Sequence, residues 1–226
     1  MKQKFIFSIL LLLGSYTIAF AQFSFTPNVG ICISDISNTR NSHDYISYNF
    51  GVGIDYHFNR WGIRSGLFLK EKGTYNMEGS VNIDEYPVNT DLITMDAKLM
   101  YMQLPVLASY RLPIYDHVAV QLNVGPYVAY GLKGKYNLQR MDREYGISSS
   151  PFDRIIFETE SYGKKDLSSF TKWDWGINAG VEMSVYRFNI GVSYEIGLKG
   201  LSSHFPIRYD GKQRNRSWNM YVGFTI

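Results

Sequence analysis

The last ten residues, Ser217 to Ile226, alternate strictly: Trp218, Met220, Val222, Phe224 and Ile226 fall on one face, Ser217, Asn219, Tyr221, Gly223 and Thr225 on the other. A period of two sends successive side chains to opposite faces of a strand. Here one face is large and β-prone, the other small and polar. The second such segment sets Tyr48, Phe50, Val52, Ile54, Tyr56 and Phe58 against Asn49, Gly51, Gly53, Asp55 and His57. A later one sets Trp173, Trp175, Ile177, Ala179, Val181, Met183 and Val185 against Asp174, Gly176, Asn178, Gly180, Glu182, Ser184 and Tyr186. The segment after it opposes Phe188, Ile190, Val192, Tyr194, Ile196 and Leu198 to Asn189, Gly191, Ser193, Glu195 and Gly197. No charge falls on an apolar face.

The pattern predicts eight strands near residues 23–33, 48–58, 61–70, 100–110, 118–132, 173–186, 188–198 and 217–226. At about 3.3 Å per residue and a tilt of roughly 40°, ten residues rise about 25 Å, the height of an outer-membrane apolar band. Alternation alone leaves open a soluble periplasmic ligand-binding barrel with its apolar set turned inward. Two features favour the membrane. The polar face is rich in glycine (Gly30, Gly51, Gly53, Gly66, Gly125, Gly176), as a narrow interior demands. Trp61, Trp173, Trp175, Trp218, Tyr48, Tyr56, Tyr110, Tyr130 and Tyr194 lie on the apolar face, mostly toward strand ends, as in an interfacial aromatic girdle.

The fold expected is therefore all-β: an eight-stranded antiparallel up-and-down transmembrane β-barrel with short periplasmic turns and long external loops. Asn59-Arg60, residues 111–117 and a turn at Arg187 are the short connections. Residues 34–47, 71–99, 133–172 and 199–216 would be the external loops, which leaves both termini periplasmic. Pro27, Pro105 and Pro126 fall within strands and cannot donate to a ladder, so each is expected at a bulge or strand boundary.

Lys2 and Lys4, the apolar run Phe5 to Leu13 and Ala19-Phe20-Ala21 before Gln22 read as a signal peptide over residues 1–21, leaving 22–226 as one barrel domain. No later stretch approaches about 18 apolar residues, so no helical span is expected. Removing Lys2 and Lys4 from the 23 basic residues leaves 21 against 20 acidic ones, a net charge of +1. That balance does not point to nucleic acid. Cys32, the one cysteine, allows no internal disulfide and lies too far from the cleavage site for lipidation.

Several segments carry a resemblance. These are Phe25-Thr26-Pro27-Asn28-Val29-Gly30, Tyr101-Met102-Gln103-Leu104-Pro105-Val106-Leu107, Asn123-Val124-Gly125-Pro126-Tyr127, Trp175-Gly176-Ile177-Asn178-Ala179-Gly180 and Gly191-Val192-Ser193-Tyr194-Glu195-Ile196-Gly197-Leu198. In this order they resemble the PorT-like outer-membrane β-barrel family common in Bacteroidota. The resemblance implies an integral outer-membrane barrel, in some relatives tied to protein secretion, and it transfers no catalytic residue. It also implies contact with outer-membrane lipid and lipopolysaccharide, and with the barrel-assembly machinery during insertion. Ile226 stands where many such barrels end in an aromatic, with Phe224 two positions before it.

Charges on the polar face are Asp55, Arg64, Lys70, Lys133, Asp174, Glu182 and Glu195, with His57 near the periplasmic end. Buried charges must pair or hydrate. Asp55, Arg64, Lys70, Glu182 and Glu195 form the candidate lumen network. A salt-bridged plug is favoured over a narrow pore for ions or small solutes, because side chains just fill an eight-stranded interior. Glu78, Asp84, Glu85, Asp91 and Asp96 match no calcium-loop spacing and read as a solvated acidic hairpin. Arg208, Lys212, Arg214 and Arg216 form a basic cluster that could meet lipid phosphate. Among His43, His57, His117 and His204, only the first and last would reach an external site, and Ser203 beside His204 has no nucleophile–base spacing. No enzyme, cofactor or metal site is expected. The function expected is that of a scaffold, envelope or secretion-accessory component working through loops and turns, with envelope or secretion proteins as partners.

Overall fold

The computed structural model describes residues 23–37, 42–81, 91–142, 146–149, 153–155, 157–158, 170–201 and 213–226. The proposed signal peptide lies outside them. Eight long strands build the molecule: β1 (Phe23–Ile36), β2 (His43–Phe58), β3 (Trp61–Val81), β4 (Asp91–Tyr115), β5 (Val118–Asp142), β6 (Trp173–Val185), β7 (Phe188–Gly197) and β8 (Asn215–Phe224). Each is antiparallel to the one before it. β8 closes on β1 from Asn28 opposite Gly223 to Ile36 opposite Asn215. Closure pairs every strand on both sides and abolishes the free edge.

The apolar faces point outward. Val29, Phe50, Ile63, Val124, Ile177 and Val222 are each 48–57% exposed, whereas Asn49, Arg64, Gln103 and Glu195 inside are at most 4% exposed. An inward apolar set around a ligand is therefore not the arrangement of this barrel. The aromatic residues pair along the two rims of the apolar band. Tyr130 lies 5.0 Å from Trp173 and Tyr194 lies 4.6 Å from Trp218 at one rim. Trp61 lies 4.8 Å from Tyr110 and Phe188 lies 5.3 Å from Phe224 at the other.

All three short connections are two-residue turns, flanked by the pairs Phe58–Trp61, Tyr115–Val118 and Val185–Phe188. Two of them use a left-handed residue to match strand twist, while Asp116-His117, which follows the register shift at Pro113/Tyr115, has none. Asn59, with φ of 58°, supplies it cheaply. Tyr186 does so with φ of 55°, against its own preference. Its ring stacks 4.5 Å from His117 and its amide donates to the His117 carbonyl at 2.8 Å, so the neighbouring turn compensates. The connection expected over 111–117 shrinks to Asp116-His117, because β4 runs on to Tyr115.

The other end departs most from expectation. Much of the loop expected over 71–99 is strand: β3 and β4 stay paired out to Val81 opposite Asp91. β5 likewise continues to Asp142, flanked by the short strands Gly146–Ser149 and Asp153–Ile155. β4 has 25 residues and β7 only 10, so the β3–β5 wall outruns the opposite wall by about 50 Å of strand. Beyond the lipid no apolar outer face is required, so the alternation that signals a spanning strand stops while the ladder does not.

The prolines also behave otherwise than expected. Pro27 pairs with Val52, Pro105 with Tyr127 and Pro126 with Ile177, all inside strands. Missing donors interrupt the β4–β5 ladder between Pro105 and Ala108, yet the register is the same on either side. The register shifts lie elsewhere, at Asp44/Asn49, Thr74/Met77, Met100/Tyr101 and Pro113/Tyr115.

Candidate functional site

Among the described residues, the barrel interior is where the strands bring charged groups together in buried ion pairs. It holds two ionic layers. Nearer the long-loop end, Glu195 of β7 takes the Lys70 ammonium at 2.5 Å and the Lys72 ammonium at 2.9 Å. Gln103 and Asn178 donate to its Oε1 at 2.7 and 2.8 Å, and Ser217 donates to Oε2 at 3.2 Å. Five donors from β3, β4, β6 and β8 thus converge on one fully buried carboxylate. Asp174 lies 3.9 Å from Lys72 and accepts from Asn215 at 2.9 Å and Tyr127 at 3.3 Å. The Lys72 ammonium also sits 4.7 Å over the Tyr127 ring. Two cations meet two anions here.

The second layer lies nearer the turns. Arg64 Nη1 meets Glu182 Oε2 at 2.6 Å, and its Nε lies 3.6 Å from Asp55 Oδ1. Tyr221 donates to Glu182 at 2.9 Å and Gln121 donates to Asp55 at 3.1 Å. His57 is linked to Gln121 Oε1 at 3.2 Å, and Ser109 donates to Asn123 at 2.9 Å. One cation faces two carboxylates. Such pairs withstand burial when further hydrogen bonds occupy the remaining lone pairs, as they do on both oxygens of Glu195, whereas Asp174 Oδ1 has no hydrogen-bond partner.

Glycine makes the second layer possible. Glu182 is opposite Gly191 on β7, and Gly191 is opposite Tyr221 on β8. A Cβ on Gly191 would lie 2.2 Å from Tyr221 Cζ, so the phenol ring crosses that bare backbone to reach a carboxylate two strands away. Between the layers lies a cavity of about 50 Å³ lined by Asn49, Phe68, Leu107, Asn178, Asn219 and Tyr221, among others. It has room for a few water molecules. Asn178 Oδ1 and Asn219 Nδ2 have no protein partner and would be satisfied by them.

Asp55, Arg64, Lys70, Glu182 and Glu195 are thus all in the lumen, divided between the layers rather than joined in one network. Lys133 is not with them. Between Met100 and Tyr101 the β4–β5 register slips by one residue at Leu132, and Lys133 turns outward to solvent. Lys72 takes the place that reading gave to Lys133. Its signal was present, because Arg64, Gly66, Phe68, Lys70, Lys72 and Thr74 continue one parity beyond the expected end of the strand. Of the acidic hairpin, Glu78 and Asp91 lie on β3 and β4 and Asp96 is half-buried on β4, while Asp84 and Glu85 fall outside the described residues. Of the basic cluster, Arg216 is exposed on β8, Arg214 lies just before it, and Arg208 and Lys212 are outside the described residues, as are Ser203 and His204. His43 is exposed at the start of β2 and His117 in its turn. Among the described residues no group of three His, Cys, Asp or Glu is placed to hold a metal ion.

A family model described as an outer membrane protein beta-barrel domain matches residues 15–203. Among solved structures, the chain is similar to Ail, the attachment invasion locus protein of Yersinia pestis, crystallised with the heparin analogue sucrose octasulfate. The identity is 13%, covering 91% of this chain and 99% of that one, with a TM-score of 0.42. Neisserial surface protein A is 12% identical over 91% of this chain and 97% of that one, with a TM-score of 0.41. The translocator domain of the autotransporter NalP from Neisseria meningitidis is 9% identical over 99% and 97%, with a TM-score of 0.33. No curated protein matches the chain.

Proposed function

Because the chain belongs to the outer membrane protein β-barrel domain family, whose model covers most of its length, we propose that it is a sealed, non-enzymatic barrel of the outer membrane that works through its outer surfaces. The observation that carries this is the double ionic layer. Tyr101, Lys72, Leu99, Gln103, Glu195 and Asn215 are all fully buried across the lumen, so among the described residues this section is packed with side chains, which supports a sealed barrel over a conducting one. With the lumen filled and the wall given to lipid, recognition falls to the turns and to the extended β3–β5 wall. In the orientation proposed, the two-residue turns and both termini face the periplasm and the extended wall faces outward, which follows the usual placing of short and long connections in such barrels.

The role proposed is that of a scaffold, envelope or secretion-accessory component. The PorT-like segments support the secretion variant, with other envelope proteins as partners and the assembly machinery needed for insertion. Planar-bilayer recording tests the seal: the wild-type protein gives no steady conductance. A steady open level that changes with Glu182→Gln would replace this reading with a narrow pore. The surface half has its own test. Replacing residues 75–98 by a two-residue turn should leave a heat-modifiable barrel that loses its cross-linked partners, and an unchanged cross-link pattern would show that the extension recognises nothing.

A further inference from the structure

The outer wall is apolar through Met102 and Leu104 on β4 and Val128 and Leu132 on β5, all exposed. Its character then changes within a single strand pair. Lys98 lies directly opposite Lys135, and Lys133 is opposite Met100, two pairs nearer the lipid band and on the same face. Lys133 and Lys135 are exposed and Lys98 is half-exposed. The slip at Leu132 creates this arrangement, since without it Lys133 would point into the lumen with Gly131. Lys172 borders the patch: its carbonyl accepts from the Gly131 amide at 2.7 Å and its ammonium lies 5.7 Å over the Tyr130 ring. That ring is part of the aromatic rim with Trp173. The lysines therefore begin where the lipid-facing band ends.

Like charges at directly paired positions destabilise a ladder. On β8 the exposed Arg216 is opposite Asp35, an opposite charge, whereas Lys98 is opposite another lysine. Acids on the wall around the patch are Glu71, opposite Met100 and accepting from the Tyr45 hydroxyl, Asp96, two residues beyond Lys98, and Asp153, opposite Tyr136 on the short strand that places Arg154 opposite Lys135. Among the described residues no ion pair joins any of the four lysines to a carboxylate; those recorded all lie in the lumen. The Lys98 ammonium is turned toward the Tyr45 and Tyr75 rings, 5.3 and 5.6 Å from their centroids, so a multiply charged anion would sit on Lys133 and Lys135, where it would turn repulsion into binding.

We infer that this patch binds the phosphates of a bisphosphorylated glycolipid of the outer leaflet, its acyl chains lying along Met102, Leu104, Val128 and Leu132. Continuity between the cationic patch and the apolar wall beneath it selects a lipid over a soluble anion. The inference rests on the orientation proposed above, which is tested separately: protease added to intact cells should cut in the long connections and spare the turns.

For the lipid itself, purified heat-modifiable protein is titrated by native mass spectrometry with bisphosphorylated lipid A and with lipid A stripped of both phosphates. The wild-type protein should prefer the phosphorylated form at least tenfold. The double variant Lys133→Gln/Lys135→Gln should lose most of that preference while keeping its affinity for the stripped lipid and its heat-modifiability. Lys133→Arg/Lys135→Arg and Arg216→Gln should keep the preference. Equal binding of the two lipids by the wild-type protein, or an unchanged preference in the glutamine variant, overturns the inference. An equal loss in Arg216→Gln reduces it to diffuse surface charge. Binding of a soluble polysulfated sugar as tightly as lipid A would overturn the lipid assignment.

Discussion

The two ionic layers use the same chemistry to different degrees of closure. Around Glu195, two lysines and three neutral donors meet on one carboxylate, and with Asp174 the charges balance. Around Arg64, one guanidinium serves both Asp55 and Glu182, so the layer nearer the turns keeps one negative charge in excess. The donors that complete it come from neutral side chains, Tyr221 and Gln121, with half-buried His57 behind them at the mouth. Both layers are buried: Lys72, Asp174 and Glu195 are at most 1% exposed and Lys70 6%, against 4% each for Asp55, Arg64 and Glu182. The excess negative charge falls on the slightly less buried pair of carboxylates, Asp55 and Glu182, the direction that the cost of burying unpaired charge favours.

If that is the logic, the largest effect comes from unbalancing the inner layer. Glu195→Gln strands Lys70 and Lys72 with only Asp174, 3.9 Å from Lys72, to answer them. Removing one partner of a buried pair costs about 3–5 kcal/mol. The urea midpoint of the protein folded into lipid vesicles should fall accordingly, along with the temperature at which its compact electrophoretic form is lost. Adding Lys70→Met should recover part of the loss, because one unpaired cation is removed with it. A Glu195→Gln midpoint within error of the wild type would mean that the two layers do not differ in closure.

Arg64→Gln comes next. It leaves Asp55 and Glu182 without their cation, though with Gln121 and Tyr221 still donating. Water entering from the turn end should relieve part of the repulsion, so the loss should be about 2–3 kcal/mol, less than for Glu195→Gln. Arg64→Gln combined with Glu182→Gln should lie closer to the wild type than Arg64→Gln alone, measured by the same unfolding curves. A greater loss for Arg64→Gln than for Glu195→Gln would reverse the comparison.

The barrel itself was legible because its rule is geometric: a spanning strand must turn one face to lipid, and Trp218 to Ile226 or Tyr48 to Phe58 state that rule residue by residue. Where the rule lapses, so did the reading. Lys72 falls within an expected loop because the outward face beyond Leu69 is no longer apolar, although β3 and its inward parity run on. Lys133 was placed in the lumen because one extra residue in β5 inverts every later position. The division of the five expected charges into two layers needed cross-strand register, which no single strand encodes.

The smallest effect tests how the unbalanced layer, around Arg64, is held in place. Gly191→Ala puts a Cβ 2.2 Å from Tyr221 Cζ. The ring must leave the backbone it crosses, and Glu182 then loses its phenol donor as well as the packing. Overpacking of this kind costs about 1–3 kcal/mol. Tyr221→Phe removes the hydroxyl alone and should cost about 1 kcal/mol. The decisive reading is the double-mutant cycle: if alanine at 191 acts by displacing the ring, its cost should nearly vanish in a Tyr221→Ala background, where no ring remains to be moved. A cost that persists there in full would place the strain in the β6–β7 backbone. The glycine would then be needed for strand approach and not for the reach of Tyr221 to Glu182.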